Sequence, residues 1–192
     1  MNCEKVMDSF IQEIQSYPHY SNIEKRMEEV QKIIDYQFKD IRFLMLAFCR
    51  TKCNLEGTGK NNKSYKNDTL AQIGDAILNL FVFEFGFEFE MSKGKLDDLR
   101  QILTNNATFS SVRGILGLEN FCYHDKHFLD DPNVPSHEKV AVSNHDSIIE
   151  ALFGAIYLDG GLEEAEKWFW SCLVPIKIKE KREKSFSKGE QS

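Results

Sequence analysis

Two pairs of carboxylates lie in stretches of the chain that are otherwise apolar. Asp68 and Asp75 are seven residues apart in one stretch, and Asp146 and Glu150 are four apart in another. At about 100° per residue, a helix would place the members of each pair within about 20° to 40° of each other. A carboxylate in an apolar helix is costly unless it is paired, hydrogen-bonded or bound to a metal. Two helices that present such carboxylates could form a Mg²⁺ site, because this cation prefers oxygen ligands.

The same spacing also has a purely structural interpretation. Asp68 could be only a helix N-cap, Asp75 could hydrogen-bond to a neighbouring helix, and Glu150 could be partly exposed. Spacing alone leaves both interpretations open. The segment 124–131 holds a His-x-x-His pair and three Asp residues. It has no third ligand fixed by the sequence, so a solvated loop is favoured there over a metal site.

Helical periodicity dominates the segments that must position these residues. Apolar residues recur three or four apart, as in amphipathic helices. The segments with this pattern are 4–16, 23–34, 40–51, 144–158 and 162–173. Residues 68–90 are predicted to form one long helix with Asp68 as its N-cap, followed by a break at Gly94 and two helical stretches that end at Gly117. The predicted fold class is all-α.

The composition fits a single folded domain. The chain has 192 residues, of which 42% are hydrophobic and 28% charged, which argues against collagen-like, disordered and disulfide-scaffold classes. Its five cysteines include no Cys-x-x-Cys pair, so we expect reduced thiols and neither zinc nor disulfides. No apolar run approaches the length that spans a bilayer, and no secretory signal is recognisable. We therefore expect no membrane association and an intracellular protein, cytoplasmic or nuclear.

Net charge gives no reason to expect a nucleic-acid partner, because it is −6. The distribution of charge is more informative. Residues 175–192 carry six basic side chains against three acidic ones, and the loop-like segment 53–67 carries three lysines. Such charge runs are often only solvated, so contact with phosphate stays open at this point.

Four segments, in order along the chain, resemble motifs of the ribonuclease III family. Residues 67–78 (NDTLAQIGDAIL) resemble its signature helix, and residues 150–161 (EALFGAIYLDGG) resemble its closing motif. Residues 36–40 (YQFKD), followed by Leu46 and Ala47, and residues 96–105 (LDDLRQILTN) are similar to two further family motifs. Together they extend over about residues 30–173.

The resemblance implies a division of the chain into three parts. Residues 1–29 would be an N-terminal helical extension, residues 30–174 an all-α ribonuclease III endonuclease domain, and residues 175–192 a basic tail. It also implies a homodimer that cleaves double-stranded RNA with Mg²⁺, which Mn²⁺ could replace. A heterodimer with a paralogue stays open. The Phe residues of 81–89 exceed what one small core needs, so this stretch is predicted to support a dimer interface.

The resemblance also assigns roles to individual residues. Asp75 and Glu150 match metal ligands of the family, and Asp68 stands where the family has a Glu near the scissile strand. We expect no separate double-stranded-RNA-binding domain, so RNA contacts are expected from basic side chains in the loop and the tail. These residues are Lys60, Lys63, Lys66, Lys177, Lys179, Lys181 and Arg182.

Several positions depart from the family pattern. Ala71 and Ser147 stand where two metal-binding carboxylates are usual, and Lys93 replaces an acid. Asp146, next to Ser147, could substitute as a ligand. A compact branch, the Mini-III enzymes, shares the Ala and lacks the Asp before its closing Glu. Two hypotheses follow: a working endoribonuclease with a reduced carboxylate set, or a catalytically inactive RNA-binding or dimerisation module in an RNA-processing or ribosomal assembly.

Overall fold

Every element in the described part of the structure is helical, which confirms the all-α fold class. The structure is a computed structural model, and it describes residues 23–48, 67–121 and 147–175. In chain order the elements are α1 (Ile23–Ile34), α2 (Ile41–Ala47), α3 (Asp68–Glu88), α4 (Lys93–Thr104), α5 (Asn106–Ile115), a 3₁₀ turn (Leu118–Phe121), α6 (Ile148–Gly160), α7 (Leu162–Trp168) and a π-helical turn (Phe169–Leu173).

Several predictions lie outside the described residues. They are the helix over 4–16, the loop 53–66, the His-rich segment 124–131, Asp146, and the tail beyond Pro175. The domain boundaries stay predictions as well. The division between residues 29 and 30 falls inside α1, a continuous helix whose Met27 and Val30 are both fully buried.

The centre of the fold is α6. Eight of its thirteen residues are buried, and Glu150 is the one polar side chain in its first two turns. A helix that is apolar on all sides must be surrounded by other elements. Here α3 packs along one side of it, and α2, α5 and α7 pack on the others. The carboxylate of Glu150 is therefore carried by the most enclosed helix of the described structure.

By length and composition alone, α3 could cross a membrane. It has 21 residues and a mean hydropathy of 1.4 over its most apolar window, so the expectation that no stretch approaches this length was wrong. Its apolar character has a structural reason, since Leu70, Leu78, Phe81 and Val82 are buried against the rest of the core. The continuous helix through the Phe-rich stretch is confirmed.

Two predicted helix ends were wrong. Asn67 occupies the position before α3, and Asp68 is its first helical residue, where a carboxylate still interacts favourably with the helix dipole. Gly94 is not the break between two helices, because α4 begins at Lys93 and includes Gly94. The amides of a first helical turn have no intrahelical partners, so a glycine there disrupts little.

A partly buried network joins the end of α6 to the connection between α1 and α2. Asp159 accepts hydrogen bonds from Tyr36 Oη (2.8 Å), Lys39 N (3.0 Å) and Asp40 N (2.8 Å). Burial and the bond to Asp159 raise the pKa of Tyr36 above its usual value. Asp40 in turn caps α2 by accepting from Arg42 N, and its hydrogen bonds with the Arg42 side chain lower the pKa of Asp40.

Candidate active site

The backbones of α3 and α6 touch at two glycines. A Cβ added at Gly74 would collide with the carbonyl oxygen of Glu150, and one added at Gly154 would collide with the carbonyl oxygen of Leu70. No larger residue fits at either position unless a helix moves. Since Asp75 directly follows Gly74, this crossing sets Asp75 and Glu150 on adjoining helices at the same level of the fold.

A buried amide fixes the start of both helices. Asn67 is 1% exposed; its Nδ2 donates to Ala47 O (2.9 Å), and its Oδ1 accepts from Ser147 Oγ (3.2 Å). This residue therefore ties together the end of α2, the start of α3 and the residue that precedes α6. The hydroxyl of Ser147, a position where the family resemblance implies a carboxylate, is taken up by this hydrogen bond. The role of Asn67 was missed from the sequence, although a polar amide directly before an apolar helix was a usable signal.

Asp75 is exposed, and one of its carboxylate oxygens is hydrogen-bonded to Asn79. Asn79 Nδ2 donates to Asp75 Oδ1 (3.1 Å) and to Asp75 O (2.7 Å). Both partners are acceptors, so the orientation of the Asn79 amide is unambiguous. Asn79 Oδ1 is buried and has no hydrogen-bond partner among the described residues. No other hydrogen bond to the Asp75 carboxylate occurs within the described ranges, and the residue is exposed.

The remaining predicted site residues are placed as follows. Asp68 is exposed in the first turn of α3, and Glu150 is half-buried in the first turn of α6. Ala71 is 8% exposed and lies one helical turn before Asp75. Asp146 lies outside the described residues, as do all the lysines and the arginine predicted to contact RNA, so the roles of these residues stay predictions.

The donor chemistry at the crossing fits Mg²⁺. Within residues 23–48, 67–121 and 147–175 there is no group of three or more potential metal ligands. The carboxylates of Asp75 and Glu150 are nevertheless suitable ligands, because Mg²⁺ is commonly held by one or two carboxylates while it keeps several waters. The metal-ligand and catalytic roles of these residues stay predictions.

An apolar stripe runs along α3 beyond the crossing. Leu80, Phe83 and Phe87 are 38%, 44% and 88% exposed, and they continue the line of Ala76, which is exposed one residue after Asp75. Residues at this three-and-four spacing share one helix face. The stripe is contiguous, unlike the isolated apolar residues found on most protein surfaces.

Comparison with known proteins identifies the family. A family model described as the ribonuclease III domain matches residues 68–161. Curated relatives include Ribonuclease 3 of Campylobacter jejuni, 30% identical over 144 residues and 74% of this chain, and Ribonuclease 3 of Rickettsia bellii, 32% identical over 160 residues and 78% of this chain. The chain spans 58% and 65% of the length of these two relatives.

The fold is similar to solved structures as well. The nuclease domain of the Campylobacter jejuni ribonuclease III, in a structure concerned with flexibility in a region involved in dimer formation, aligns with a TM-score of 0.62 and 28% identity. The alignment covers 77% of this chain and 95% of that domain. A second structure of the same domain, at 2.2 Å resolution, gives a TM-score of 0.60. The ordered motifs, the helical architecture and these matches together show that the chain contains a ribonuclease III domain.

Proposed function

We propose that this chain is a Mg²⁺-dependent endoribonuclease that cleaves double-stranded RNA as a homodimer. The observation that carries the proposal is the contact of α3 and α6 at Gly74 and Gly154, which sets Asp75 and Glu150 on adjoining helices. A carboxylate on each of two packed helices is how helical folds build divalent-metal sites. The ribonuclease III domain supplies the reaction class.

Asp75 and Glu150 would hold the cation, with Asp146 as a third oxygen ligand. When bound, Mg²⁺ activates a water for attack on the phosphodiester and stabilises charge on the phosphate oxygens. The protein supplies the rest. The glycine crossing fixes the distance between the two helices, the joint at Asn67 prevents α6 from sliding along α3, and Asn79 limits the rotation of the Asp75 carboxylate.

Duplex RNA would be held by phosphate contacts. A-form RNA is read mainly through its shape, its 2′-hydroxyls and its backbone, so weak sequence preference is expected. Asp68, exposed at the start of α3, would lie on the side of the site that faces the scissile strand. The lysines at 60, 63 and 66 and the basic residues 177–182 would supply the cations.

The dimer would form through the apolar stripe of Ala76, Leu80, Phe83 and Phe87. A two-fold interface on this face would start next to Asp75, so it would bring two active sites towards one duplex. Two sites acting on opposite strands account for the short 3′ overhangs and 5′-phosphates implied by the family. Light scattering at micromolar concentration should give the mass of a dimer, and a strictly monomeric species would refute this part of the proposal.

The direct test is incubation of the purified chain with long duplex RNA, with Mg²⁺ or with excess chelator. Short duplex products with 5′-phosphate ends should form only with the metal, and single-stranded RNA of the same sequence should survive. The Asp75→Asn variant, prepared in parallel, excludes a contaminating nuclease. Binding of the duplex without cleavage, in both Mg²⁺ and Mn²⁺, would refute the catalytic proposal.

The second candidate function is a catalytically inactive module that binds structured RNA or a partner subunit. The observation that favours it is at Ser147, whose hydroxyl serves the buried joint with Asn67 at a position where the family has a carboxylate. Ala71 adds a second missing ligand in the same fold. Duplex binding that is insensitive to metal, together with no cleavage, is the result that this candidate predicts.

A further inference from the structure

A second surface lies well away from the helix crossing. The C-terminal half of α3, together with α7 and the π-helical turn, lines an open groove of about 280 Å³. Along the axis of α3 its residues lie roughly 9 to 20 Å beyond Asp75. The groove is lined by Phe81, Glu84, Phe85, Glu88, Phe89, Glu166 and Trp170.

The floor of the groove is a cluster of aromatic rings. The Phe85 ring packs at a tilt against Phe89, with ring centroids 4.5 Å apart, and against Trp170 at 5.2 Å. Phe89 and Trp170 are nevertheless 61% and 38% exposed. Removing large aromatic side chains from water is favourable, so this floor favours a partner that covers it.

The rim of the groove is acidic. Glu84, Glu88 and Glu166 are all exposed, and none of them forms a hydrogen bond or an ion pair in the described structure. Glu84 and Glu88 are four residues apart on one helix, a like-charge spacing that is mildly destabilising. Carboxylates beside aromatic faces attract ammonium and guanidinium groups. They repel RNA phosphate, and a second copy of the same groove would bring its own acids against them.

We infer that the groove binds this chain's own basic segment, residues 176–188 (IKIKEKREKSFSK). The described structure ends at Pro175, five residues after Trp170, and 17 residues of sequence follow. At about 3.3 to 3.6 Å per residue, a few residues suffice to bring Lys177 and Lys179 back to the groove. The segment alternates Ile with Lys, so it offers aliphatic groups to the aromatic floor and cations to the acidic rim.

Tethering makes this weak contact effective. A short linker keeps the segment at millimolar effective concentration near the groove, so a modest intrinsic affinity is enough. The same cations are proposed above to contact RNA. A docked segment would therefore be withheld from RNA until a duplex competes for it. The docking itself does not depend on the proposed function and is measured without RNA.

Tryptophan fluorescence in the full-length chain tests the proposal. Trp168 is 3% exposed and donates to Ile34 O at 2.7 Å, so acrylamide mainly quenches Trp170. The quadruple variant Lys177→Glu, Lys179→Glu, Lys181→Glu, Arg182→Glu should raise the quenching constant about twofold, because reversed charges are expelled from the acidic rim. High salt should produce the same rise in the wild type and none in this variant.

A charge swap gives the decisive control. Glu84→Lys with Glu88→Lys should also raise quenching and should speed trypsin cleavage of the tail, whereas combining these changes with the reversed tail should restore protection. Glu29→Lys with Asp98→Lys changes net charge equally at exposed positions outside the groove and should have no effect. Intramolecular docking would be overturned if quenching is unchanged in the tail variant, or if the control pair has the same effect as the groove pair. It would also be overturned if the protection depends on protein concentration.

Discussion

Asp159 and Asp75 are both carboxylates on the two central helices, yet their surroundings are opposite. Asp159 accepts three hydrogen bonds, from Tyr36, Lys39 and Asp40, and it joins segments about 120 residues apart. Within the described residues, Asp75 has one side-chain hydrogen-bond partner, Asn79, which lies on its own helix. Both oxygens of Asp159 therefore accept hydrogen bonds from the protein, whereas Asp75 keeps one oxygen available to a ligand.

The difference separates a structural carboxylate from a candidate catalytic one. Hydrogen bonds from two backbone amides and a tyrosine hydroxyl tie the Asp159 carboxylate to the connection between α1 and α2. Asp75 gains little from the fold, since the glycine crossing beside it fixes its position without bonding to its side chain. Removing each carboxylate should therefore damage different properties of the protein.

The largest effect is expected for Asp75→Asn. Loss of the charge should lower the cleavage rate at least 10³-fold, equivalent to about 4 kcal/mol of transition-state stabilisation. Because Asp75 is exposed and Asn can still accept from Asn79, the free energy of unfolding should change by less than about 0.5 kcal/mol. Single-turnover cleavage and urea denaturation measure the two quantities. Wild-type cleavage in this variant would remove Asp75 from the site.

The converse is expected for Asp159→Asn. An amide has one acceptor oxygen where the carboxylate serves three donors, so the free energy of unfolding should fall by about 3 kcal/mol. Cleavage per folded molecule, measured at a temperature where both proteins are folded, should stay within about twofold because Asp159 is remote from the crossing. A large loss of cleavage without loss of stability would erase the distinction drawn between the two carboxylates.

Much of this contrast could be predicted from the sequence. Helical periodicity gave the fold class and the long helix through the Phe-rich stretch, because apolar spacing reports directly which face is buried. The motifs at residues 67–78 and 150–161 already contain Asp75, Glu150 and Asp159. They did not separate the structural carboxylate from the exposed one, since the donors to Asp159 come from the connection between α1 and α2.

Features that depend on contacts between distant segments could not be predicted. The bonds of Asn67 join α2, α3 and Ser147; its place before an apolar helix is visible in the sequence, but its distant partners are not. The acidic groove needs α7 and the π-helical turn beside α3, so its Glu166 and Trp170 look unremarkable in the sequence. Asn79 had a usable signal, a polar residue one turn after Asp75 in an apolar stretch.

A smaller effect is expected when the missing ligand is restored with Ala71→Glu. Position 71 is 8% exposed, so without metal the new carboxylate should destabilise the fold by about 1 to 2 kcal/mol. Mg²⁺ should reverse this loss and should half-saturate cleavage at a several-fold lower concentration. Ala71→Gln matches the size without the charge and should show no gain with Mg²⁺. If the Mg²⁺ titration of Ala71→Glu matches that of the wild type, the alignment of the signature helix is wrong.

The smallest effect is expected for Asn79→Ala. Metal affinity should fall, whereas the free energy of unfolding should rise. Loss of the bond to Asp75 Oδ1 frees the carboxylate to rotate, so Mn²⁺ binding measured by electron paramagnetic resonance should weaken about threefold, or about 0.6 kcal/mol. The free energy of unfolding should rise by a few tenths of a kcal/mol, because Ala has the higher helix propensity and the unpaired, buried Asn79 Oδ1 is removed. Thr69→Ala, at an exposed position in the first turn of α3, supplies a propensity gain alone and should leave Mn²⁺ affinity unchanged. Equal Mn²⁺ affinity in all three proteins would show that Asn79 only supports the helix, and Asp75 would then depend on the glycine crossing alone for its position.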